Sequence, residues 1–188
     1  MASFLKIQQA ADILLAGGVV AYPTEGVYGL GCLPSDPEAV DQLLGIKNRS
    51  STAGLIIVAA DLDLLSEWID PTEAELQRLE QKNSHPVTWV VTAAAHTPHW
   101  LTGGRSTIAV RITQHPVAAA LSRATKSALV STSANRTGRP AAKSALQVRR
   151  WLGKELDWVV SGPLGEGSGP SEIRVALDDR VLRAASST

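Results

Sequence analysis

Three short polar segments of the sequence carry the residue types that bind phosphate and amino-acid groups. They read PTEGVYGLG at residues 23–31, KNR at residues 47–49 and STSANRTG at residues 131–138. Each segment follows a predicted strand or ends a predicted helix, which is where open α/β sheets place their binding sites. Together, the three segments predict a nucleotide pocket.

The KNR segment supplies two cations that would be complementary on a triphosphate. The ammonium of Lys47 is a compact point charge, whereas the planar guanidinium of Arg49 can bind two oxygens at once. Basic residues at a helix C-terminus also have a second explanation, because they complement the helix dipole. The residues by themselves leave both interpretations open.

The first segment is rich in glycine. Gly26, Gly29 and Gly31 permit positive φ and close backbone approach, so main-chain N–H groups could face a ligand. Simple turns use glycine in the same way. The spacing matches neither the dinucleotide-binding fingerprint nor the P-loop, so neither of those motifs applies.

The STSAN segment places three hydroxyls and one amide after the apolar residues ALV. These uncharged donors and acceptors suit phosphate oxygens, a ribose or an amino-acid carboxylate. A Ser/Thr turn closed by Asn135 is the structural alternative. Position after a strand favours binding without deciding the ligand.

Arg111 stands in the apolar strand TIAVRI, where an unpaired charge would be costly to bury. We expect a carboxylate partner, supplied either by an internal Asp or Glu or by a ligand. A bound metal is not expected. His96 and His99 have helical spacing, but Pro98 lies between them, and the single cysteine, Cys32, argues against structural zinc.

Helices and strands alternate along the chain, which predicts the α/β elements that position these segments. Predicted helices cover residues 4–16, 36–47, 62–69, 71–82, 116–124 and 143–152. Predicted strands cover residues 18–24, 54–60, 87–93, 107–112, 128–133, 158–160, 173–177 and 181–183. Residues 162–172 are rich in Gly, Pro and Ser and predict a mobile loop between two strands.

The length of 188 residues predicts one domain, residues 1–188. A hydrophobic content of 44% and a charged content of 19% are typical of soluble globular proteins. No window approaches the roughly 18 apolar residues that cross a bilayer, and the N-terminus lacks the pattern of an export signal. We expect a cytoplasmic protein without membrane contact.

The net charge of zero hides a separation of charge along the chain. Residues 1–94 hold 5 Lys and Arg against 12 Asp and Glu, whereas residues 95–188 hold 13 against 6. No acidic residue occurs between Glu80 and Glu155. This stretch is either a set of solvated helix faces or a surface that contacts nucleic acid.

Five motifs occur in the same order as in the YrdC-like family: PTEGVYGLG, the KxR step, STIAVRI, VSTSANRTG, and PSEIRVAL followed by VLR. The resemblance runs nearly end to end and is strongest to the short, single-domain bacterial threonylcarbamoyl-AMP synthases. It implies an α/β fold, a twisted and largely parallel open sheet with flanking helices and a concave basic face.

The resemblance also implies the reaction. A nucleotidyltransferase of this kind joins L-threonine, bicarbonate and ATP, with Mg²⁺ accompanying the ATP, into threonylcarbamoyl-adenylate and pyrophosphate. No tightly bound protein metal is implied. The product feeds N6-threonylcarbamoylation of adenosine 37 in tRNA through a downstream transfer complex, and contact with tRNA or double-stranded RNA is an implied partner property.

Residue roles follow from matching this sequence to the family motifs. The residues expected at ATP are Lys47, Arg49, Thr107, Ser133, Asn135 and Arg183. Those expected at threonine are Thr24, Arg111 and Ser131, with Arg111 pairing the substrate carboxylate. Lys47 and Arg49 are also the expected catalytic residues, because they would stabilise the departing pyrophosphate.

Four positions depart from the longer relatives. Where those proteins have the last Thr of PTET, an Asn, a His and a Ser, this chain has Gly26, Ala53, Val58 and Ala141, respectively. These changes predict a less polar threonine pocket.

The alternative function is a non-enzymatic module that binds double-stranded RNA or tRNA or assists rRNA maturation. A third reading, carbamoyl transfer to another small amine, predicts ATP use that threonine does not stimulate.

Overall fold

The computed structural model describes residues 3–167 and 169–185, which form six α-helices, two 3-10 turns and ten strands. The helices are α1 Phe4–Leu15, α2 Pro37–Lys47, α3 Glu73–Glu80, α4 His99–Thr102, α5 Pro116–Thr125 and α6 Ala145–Leu152. The strands are β1 Val20–Pro23, β2 Tyr28–Gly31, β3 Ile56–Ala59, β4 Val87–Thr92, β5 Thr107–Ile112, β6 Leu129–Val130, β7 Thr132–Ser133, β8 Trp158–Val159, β9 Glu172–Val175 and β10 Val181–Arg183. The 3-10 turns are Ser51–Ala53 and Asp63–Leu65.

The strands form two sheets. The smaller sheet has the order β7-β2-β1-β8, and the larger has the order β10-β9-β4-β5-β3-β6. Within the described residues, three of the eight pairings are parallel, namely β1 with β8, β3 with β5 and β4 with β9.

The α/β class with flanking helices is confirmed, but the strands form two mixed sheets instead of one largely parallel sheet. Short connections account for two of the five antiparallel pairings among the described residues. Residues 24–27 alone join β1 to β2, and residues 176–180 join β9 to β10, so both pairs are antiparallel. A parallel pair needs a crossover of a dozen residues or more.

Strand β1 is buried on both faces because helices cover the smaller sheet from two sides. Val20 and Tyr22 belong to an apolar cluster that includes residues of α1 and α5, whereas Ala21 belongs to the larger cluster with Leu30. This alternation follows from the two-residue period of a strand. The turn after β1 is therefore held on a rigid support.

Helix α2 begins and ends where the sequence predicts. The Asp36 carboxylate accepts hydrogen bonds from the backbone N–H groups of Glu38 and Ala39, both at 3.0 Å, and Pro37 occupies the first turn. Asn48 ends the helix in the left-handed conformation with φ 50°. The helix thus delivers Lys47 as its last residue.

Three predicted elements differ from the structure. Residues 62–69 contain only a 3-10 turn, because Leu65 and Trp68 pack into the larger apolar cluster from an irregular segment. The predicted strand 128–133 is divided at Ser131, where the chain leaves the larger sheet and joins the smaller one. Strand β2 lies in a segment that the glycines had marked as a turn.

Among residues 3–167 and 169–185, none of the helices combines the length and apolar character that crossing a membrane requires.

Candidate active site

A cavity of about 880 Å³ opens where the two sheets meet. The β1–β2 turn and β7 lie on one side, and β5, β9 and β10 lie on the other. All nine side chains singled out from the sequence line it: Thr24, Lys47, Arg49, Thr107, Arg111, Ser131, Ser133, Asn135 and Arg183. Their individual roles stay predictions, but the fold brings residues from distant parts of the chain to one cavity.

The lining is strongly cationic. In the part of the chain that the structure describes, six basic side chains line the cavity against one carboxylate, Glu25. The basic residues are Lys47, Arg49, Arg105, Arg111, Arg180 and Arg183. Such a concave basic surface attracts and retains a polyanion, and the volume lies in the range of small-molecule sites.

Lys47 is buried and fully engaged. Its Nζ donates to the backbone oxygens of Ser133 and Asn135 at 2.5 and 2.8 Å and to Asn135 Oδ1 at 3.2 Å. Burial, together with the nearby charge of Arg49, lowers the pKa of Lys47 to about 8. The ammonium therefore ties the end of α2 to the STSAN segment and remains largely charged at neutral pH.

Arg49 reaches the same wall from the residue after the left-handed Asn48. Its Nη2 donates to the Gly54 carbonyl oxygen at 2.8 Å, and burial lowers the pKa of its guanidinium without removing the charge. The left-handed turn is what lets Lys47 and Arg49 both face the cavity, since a continued helix would rotate Arg49 by about 200° from Lys47.

The STSAN segment is a hydrogen-bonded turn at the cavity wall. Ser133 Oγ donates to Asn135 Oδ1 at 2.6 Å, and Asn135 Nδ2 donates to the backbone oxygens of Arg136 and Arg139 at 3.0 and 2.5 Å. The turn alternative and the binding interpretation are thus compatible. The internal bonds of Asn135 fix the loop that carries Ser133.

Arg111 has an internal carboxylate partner, which answers one of the two alternatives that the sequence left open. Its Nη2 lies 3.4 Å from Glu25 Oε2, and the two side chains are only 9% and 14% exposed. Thr113 donates to Glu25 Oε1 at 2.6 Å. Burial raises the pKa of Glu25, but Arg111, Thr113 and a backbone N–H together hold it below its ordinary value.

Arg183 is oriented by hydrogen bonds to the backbone of Ser171. Its Nε and Nη2 donate to the Ser171 carbonyl oxygen at 3.1 and 2.8 Å. Burial lowers the pKa of Arg183, and the charges of Arg111 and Arg49 lower it further. Three guanidinium groups are therefore close enough to influence one another, which is costly without an anion among them.

The predicted mobile loop, apart from residue 168, which lies outside the described residues, is attached to the PTEG turn. Gly165 N donates to Thr24 O at 3.1 Å, and Gly167 N donates to Glu25 O at 2.8 Å. Tyr28 donates its phenolic proton to Gly162 O at 2.6 Å. These bonds join the described part of this segment to the β1–β2 turn.

Glycine in the PTEGVYGLG segment serves close approach, and positive φ is absent at the three predicted positions. A Cβ on Gly26 would lie 2.1 Å from the Gly169 carbonyl oxygen, and one on Gly31 would lie 2.6 Å from the Val130 carbonyl oxygen. Gly29 and Gly31 are residues of β2. Space, not backbone conformation, requires glycine at positions 26 and 31.

Two of the four departures from the longer relatives face the cavity. Gly26 and Ala53 line it, whereas Val58 and Ala141 are not among its described lining residues. Val58 is fully buried in β3, opposite Arg111 in the parallel register. Gly26 and Ala53 therefore shape the cavity directly, whereas Val58 lies beside Arg111 on the neighbouring strand.

Sequence reasoning missed Glu25, Arg105 and Arg180 in the lining. Glu25 carried a signal, because it is the acid of the PTEG segment and the buried Arg111 required a carboxylate. Arg105 has no sequence signal beyond its place in the acid-free stretch between Glu80 and Glu155, and its Nη1 donates to Thr102 O at 3.0 Å. Arg180 lies in the β9–β10 turn, whose position depends on sheet pairing.

The comparisons with known proteins agree with this geometry. The Sua5/YciO/YrdC family model, described as "Telomere recombination", matches residues 12–185. The chain belongs to the Sua5/YciO/YrdC family. Two curated Sua5/YciO/YrdC relatives are named threonylcarbamoyl-AMP synthase. That of Nitrosococcus oceani is 49% identical over 95% of this chain and 97% of its own length. That of Alkalilimnicola ehrlichii is 50% identical over 95% of each.

Solved structures of the Sua5/YciO/YrdC family have the same fold. P. abyssi Sua5 complexed with L-threonine superposes with a TM-score of 0.89 at 29% identity, covering 96% of this chain and 54% of that one. E. coli YciO superposes with a TM-score of 0.80 at 26% identity, covering 97% of this chain and 90% of that one. The chain thus spans little more than half of the Sua5 chain but nearly all of the shorter relatives.

Proposed function

We propose that the protein is a threonylcarbamoyl-AMP synthase, which converts L-threonine, bicarbonate and ATP into threonylcarbamoyl-adenylate and pyrophosphate. The observation that carries the proposal is the convergence of nine predicted substrate-binding side chains on one cationic cavity. The relatives that bear this enzyme name, at 49% and 50% identity over nearly the full length, support it.

The ATP end of the cavity is formed by Lys47, Arg49, Ser133, Asn135 and Arg183, with Thr107 beside them. Arg49, just beyond the end of α2, can donate to two phosphate oxygens. Lys47 already donates its three protons to Ser133 and Asn135, so it acts on the phosphates through its charge. The bonds from Lys47 to Ser133 and Asn135 keep the STSAN turn against α2. One cation thus serves both the phosphates and the loop that receives the nucleotide.

The threonine end is formed by Arg111, Ser131 and Thr24. Arg111 binds the substrate carboxylate and is held from behind by Glu25 at 3.4 Å. Thr24 donates its hydroxyl proton to Val27 O at 2.7 Å, so its oxygen is left to accept from the substrate. Ser131 lies where the chain passes between sheets and supplies a hydroxyl at the junction of the two subsites.

The reaction needs two steps that positioning and charge can accelerate. Threonine's α-amine, as ammonium, reacts with bicarbonate to give the carbamate, one water and one proton. A carbamate oxygen then attacks the α-phosphorus of ATP, the bond to the bridging oxygen breaks, and pyrophosphate leaves with that electron pair. Lys47 and Arg49 stabilise the charge that develops on the leaving pyrophosphate, and the basic cavity holds the anions together.

Mg²⁺ enters as part of the ATP substrate. The carboxylate in the described lining, Glu25, is already engaged by Arg111 and Thr113, so phosphate oxygens and water are the ligands that remain for the ion. The chain contributes by neutralising the phosphate charges that Mg²⁺ does not cover.

The adenylate product feeds the N6-threonylcarbamoylation of adenosine 37 in tRNA by a separate transfer complex. A basic surface next to the STSAN turn supports direct tRNA contact, because six exposed cations lie on this turn and on α6 and its flanks. They are Arg136, Arg139, Lys143, Arg149, Arg150 and Lys154. Working beside the transfer complex fits a cytoplasmic location.

Threonine-dependent pyrophosphate release tests the proposal. Protein, MgATP and bicarbonate are incubated with each amino acid in turn in RNA-free buffer, and pyrophosphate is measured. We expect release with threonine well above that with other amino acids. ATP use that threonine does not stimulate would favour carbamoyl transfer to another amine. RNA affinity that falls steeply with salt, without ATP use, would favour the non-enzymatic RNA-binding module.

A further inference from the structure

We propose that Glu25 makes the amino-acid subsite selective for a zwitterion, a carboxylate with an adjacent ammonium, over a carboxylate that lacks the ammonium. This inference rests on the proposed function, because it takes the Arg111 end of the cavity as the amino-acid subsite. In this role Glu25 affects ligand selectivity through its negative charge and by holding Arg111 in position.

The negative charge of Glu25 is isolated among cations. Glu25 is the one carboxylate among the described residues that line the cavity, where six side chains are cationic. A subsite built of Arg111 alone, with the other cations nearby, would attract any small carboxylate anion. The negative charge of Glu25 weakens that preference locally, beside Arg111.

Glu25 and Arg111 are incompletely paired. Arg111 Nη2 and Glu25 Oε2 are 3.4 Å apart, which is longer than a good charged hydrogen bond. Within residues 3–167 and 169–185, Glu25 Oε2 and Arg111 Nε are buried atoms without a hydrogen-bond partner. The ion pair is therefore loosely coupled, and because these two atoms are buried it acts on a bound zwitterion through its charges.

The Glu25 carboxylate is held in a fixed position. Thr113, two residues beyond Arg111, donates to Glu25 Oε1 at 2.6 Å, and Gly167 N binds the Glu25 backbone oxygen at 2.8 Å. Glu25 is thus held by the strand that carries Arg111 and by the opposing segment. A carboxylate that cannot swing away keeps its field directed at the Arg111 subsite.

The neighbouring His115 also lowers the pKa of Glu25, but less than Arg111 and Thr113 do. Its Nδ1 accepts from Val117 N at 3.3 Å, so the ring is neutral with its proton on Nε2, which lies 3.2 Å from Pro163 O. Burial lowers the pKa of His115. Arg111 is therefore the cation that faces Glu25 directly, and a substrate carboxylate at Arg111 also meets the negative charge of Glu25, which an ammonium on the same ligand offsets.

The test compares threonine with 2,3-dihydroxybutanoate, in which a hydroxyl replaces the ammonium. Dissociation constants of both compounds are measured by calorimetry for the wild-type protein and Glu25→Gln. In the wild type we expect the deaminated compound to bind at least about tenfold more weakly than threonine. In Glu25→Gln we expect threonine to weaken and the deaminated compound to bind as well as before or better, so that the preference falls about tenfold.

Equal affinity of the two compounds for the wild-type protein would overturn the inference without any variant. A parallel loss of both ligands in folded Glu25→Gln would also overturn it, because a merely structural role weakens both. Glu25→Asp, which keeps the charge, should retain the preference even if both affinities drop. Wild-type pyrophosphate release with threonine reports separately on the proposed function, so the two failures can be told apart.

Discussion

The Lys47 ammonium lies 2.5 Å from the Ser133 carbonyl oxygen, joining the last residue of α2 to strand β7 across the wall of the cavity. Two further acceptors on Asn135 complete its three hydrogen bonds. Lys47 is only 3% exposed, and a buried cation without hydrogen bonds would be costly. The three bonds therefore also offset the cost of burying its charge. Lys47 therefore acts on the nucleotide and on the shape of its loop at once.

Replacing Lys47 with alanine should lower threonine-dependent pyrophosphate release by about tenfold or more, because one charge-stabilising group is lost from the transition state. Lys6→Ala is the matched control, since Lys6 is exposed on α1. The measurement is kcat and KM for ATP in both variants. Unchanged turnover in a folded Lys47→Ala protein would contradict the assignment.

The affinity for ATP should fall as the pH rises through about 8. Burial lowers the pKa of Lys47 to about 8, and a lysine loses its positive charge above its pKa. Binding of ATP without threonine, followed by calorimetry from pH 7 to 9.5, isolates this titration from that of the substrate amine. Lys47→Arg should bind ATP with little pH dependence in this range, because guanidinium stays charged. A similar decline in Lys47→Arg would place the titration elsewhere.

Gly26→Thr should raise KM for threonine and loosen amino-acid selectivity. A Cβ at this position would lie 2.1 Å from the Gly169 backbone oxygen, so the segment carrying Pro170 and Ser171 must move, and both residues line the cavity. Selectivity is measured as kcat/KM for threonine against serine and valine. Gly45→Ala is the control, since a Cβ there meets nothing within 4 Å. Wild-type selectivity in Gly26→Thr would contradict the prediction.

Asp36→Ala should destabilise the fold by about 1 kcal/mol without changing the substrate KM values, because it removes the N-terminal cap of α2. The two hydrogen bonds that Asp36 accepts, from Glu38 and Ala39, are at the end of the helix opposite Lys47. Urea unfolding gives the free energy of unfolding. A loss of activity as large as that of Lys47→Ala would show that α2 positions the cations less rigidly than the structure indicates.

The alternation of helices and strands, together with the family motifs, predicted the α/β class. The family motifs predicted the nine cavity residues, and local patterns predicted the bounds of α2 and β5 closely. Those patterns succeed because a cap, a first-turn proline and an apolar run act within a few residues. Strand β2 was missed for the opposite reason. Its glycines are chosen by contacts with residues far away in the chain, such as Val130 against Gly31, which no local pattern reveals.

The sequence by itself determined which residues carry charge and hydroxyl groups, where α2 delivers Lys47, and that buried Arg111 requires a carboxylate. Only the tertiary structure decided that Glu25 supplies it, that the strands form two mixed sheets, and that one cavity lies between them. The physical reason is that local propensities act over a few residues. Ion-pair choice, strand order and cavity shape arise from contacts between segments that the chain brings together only when it folds.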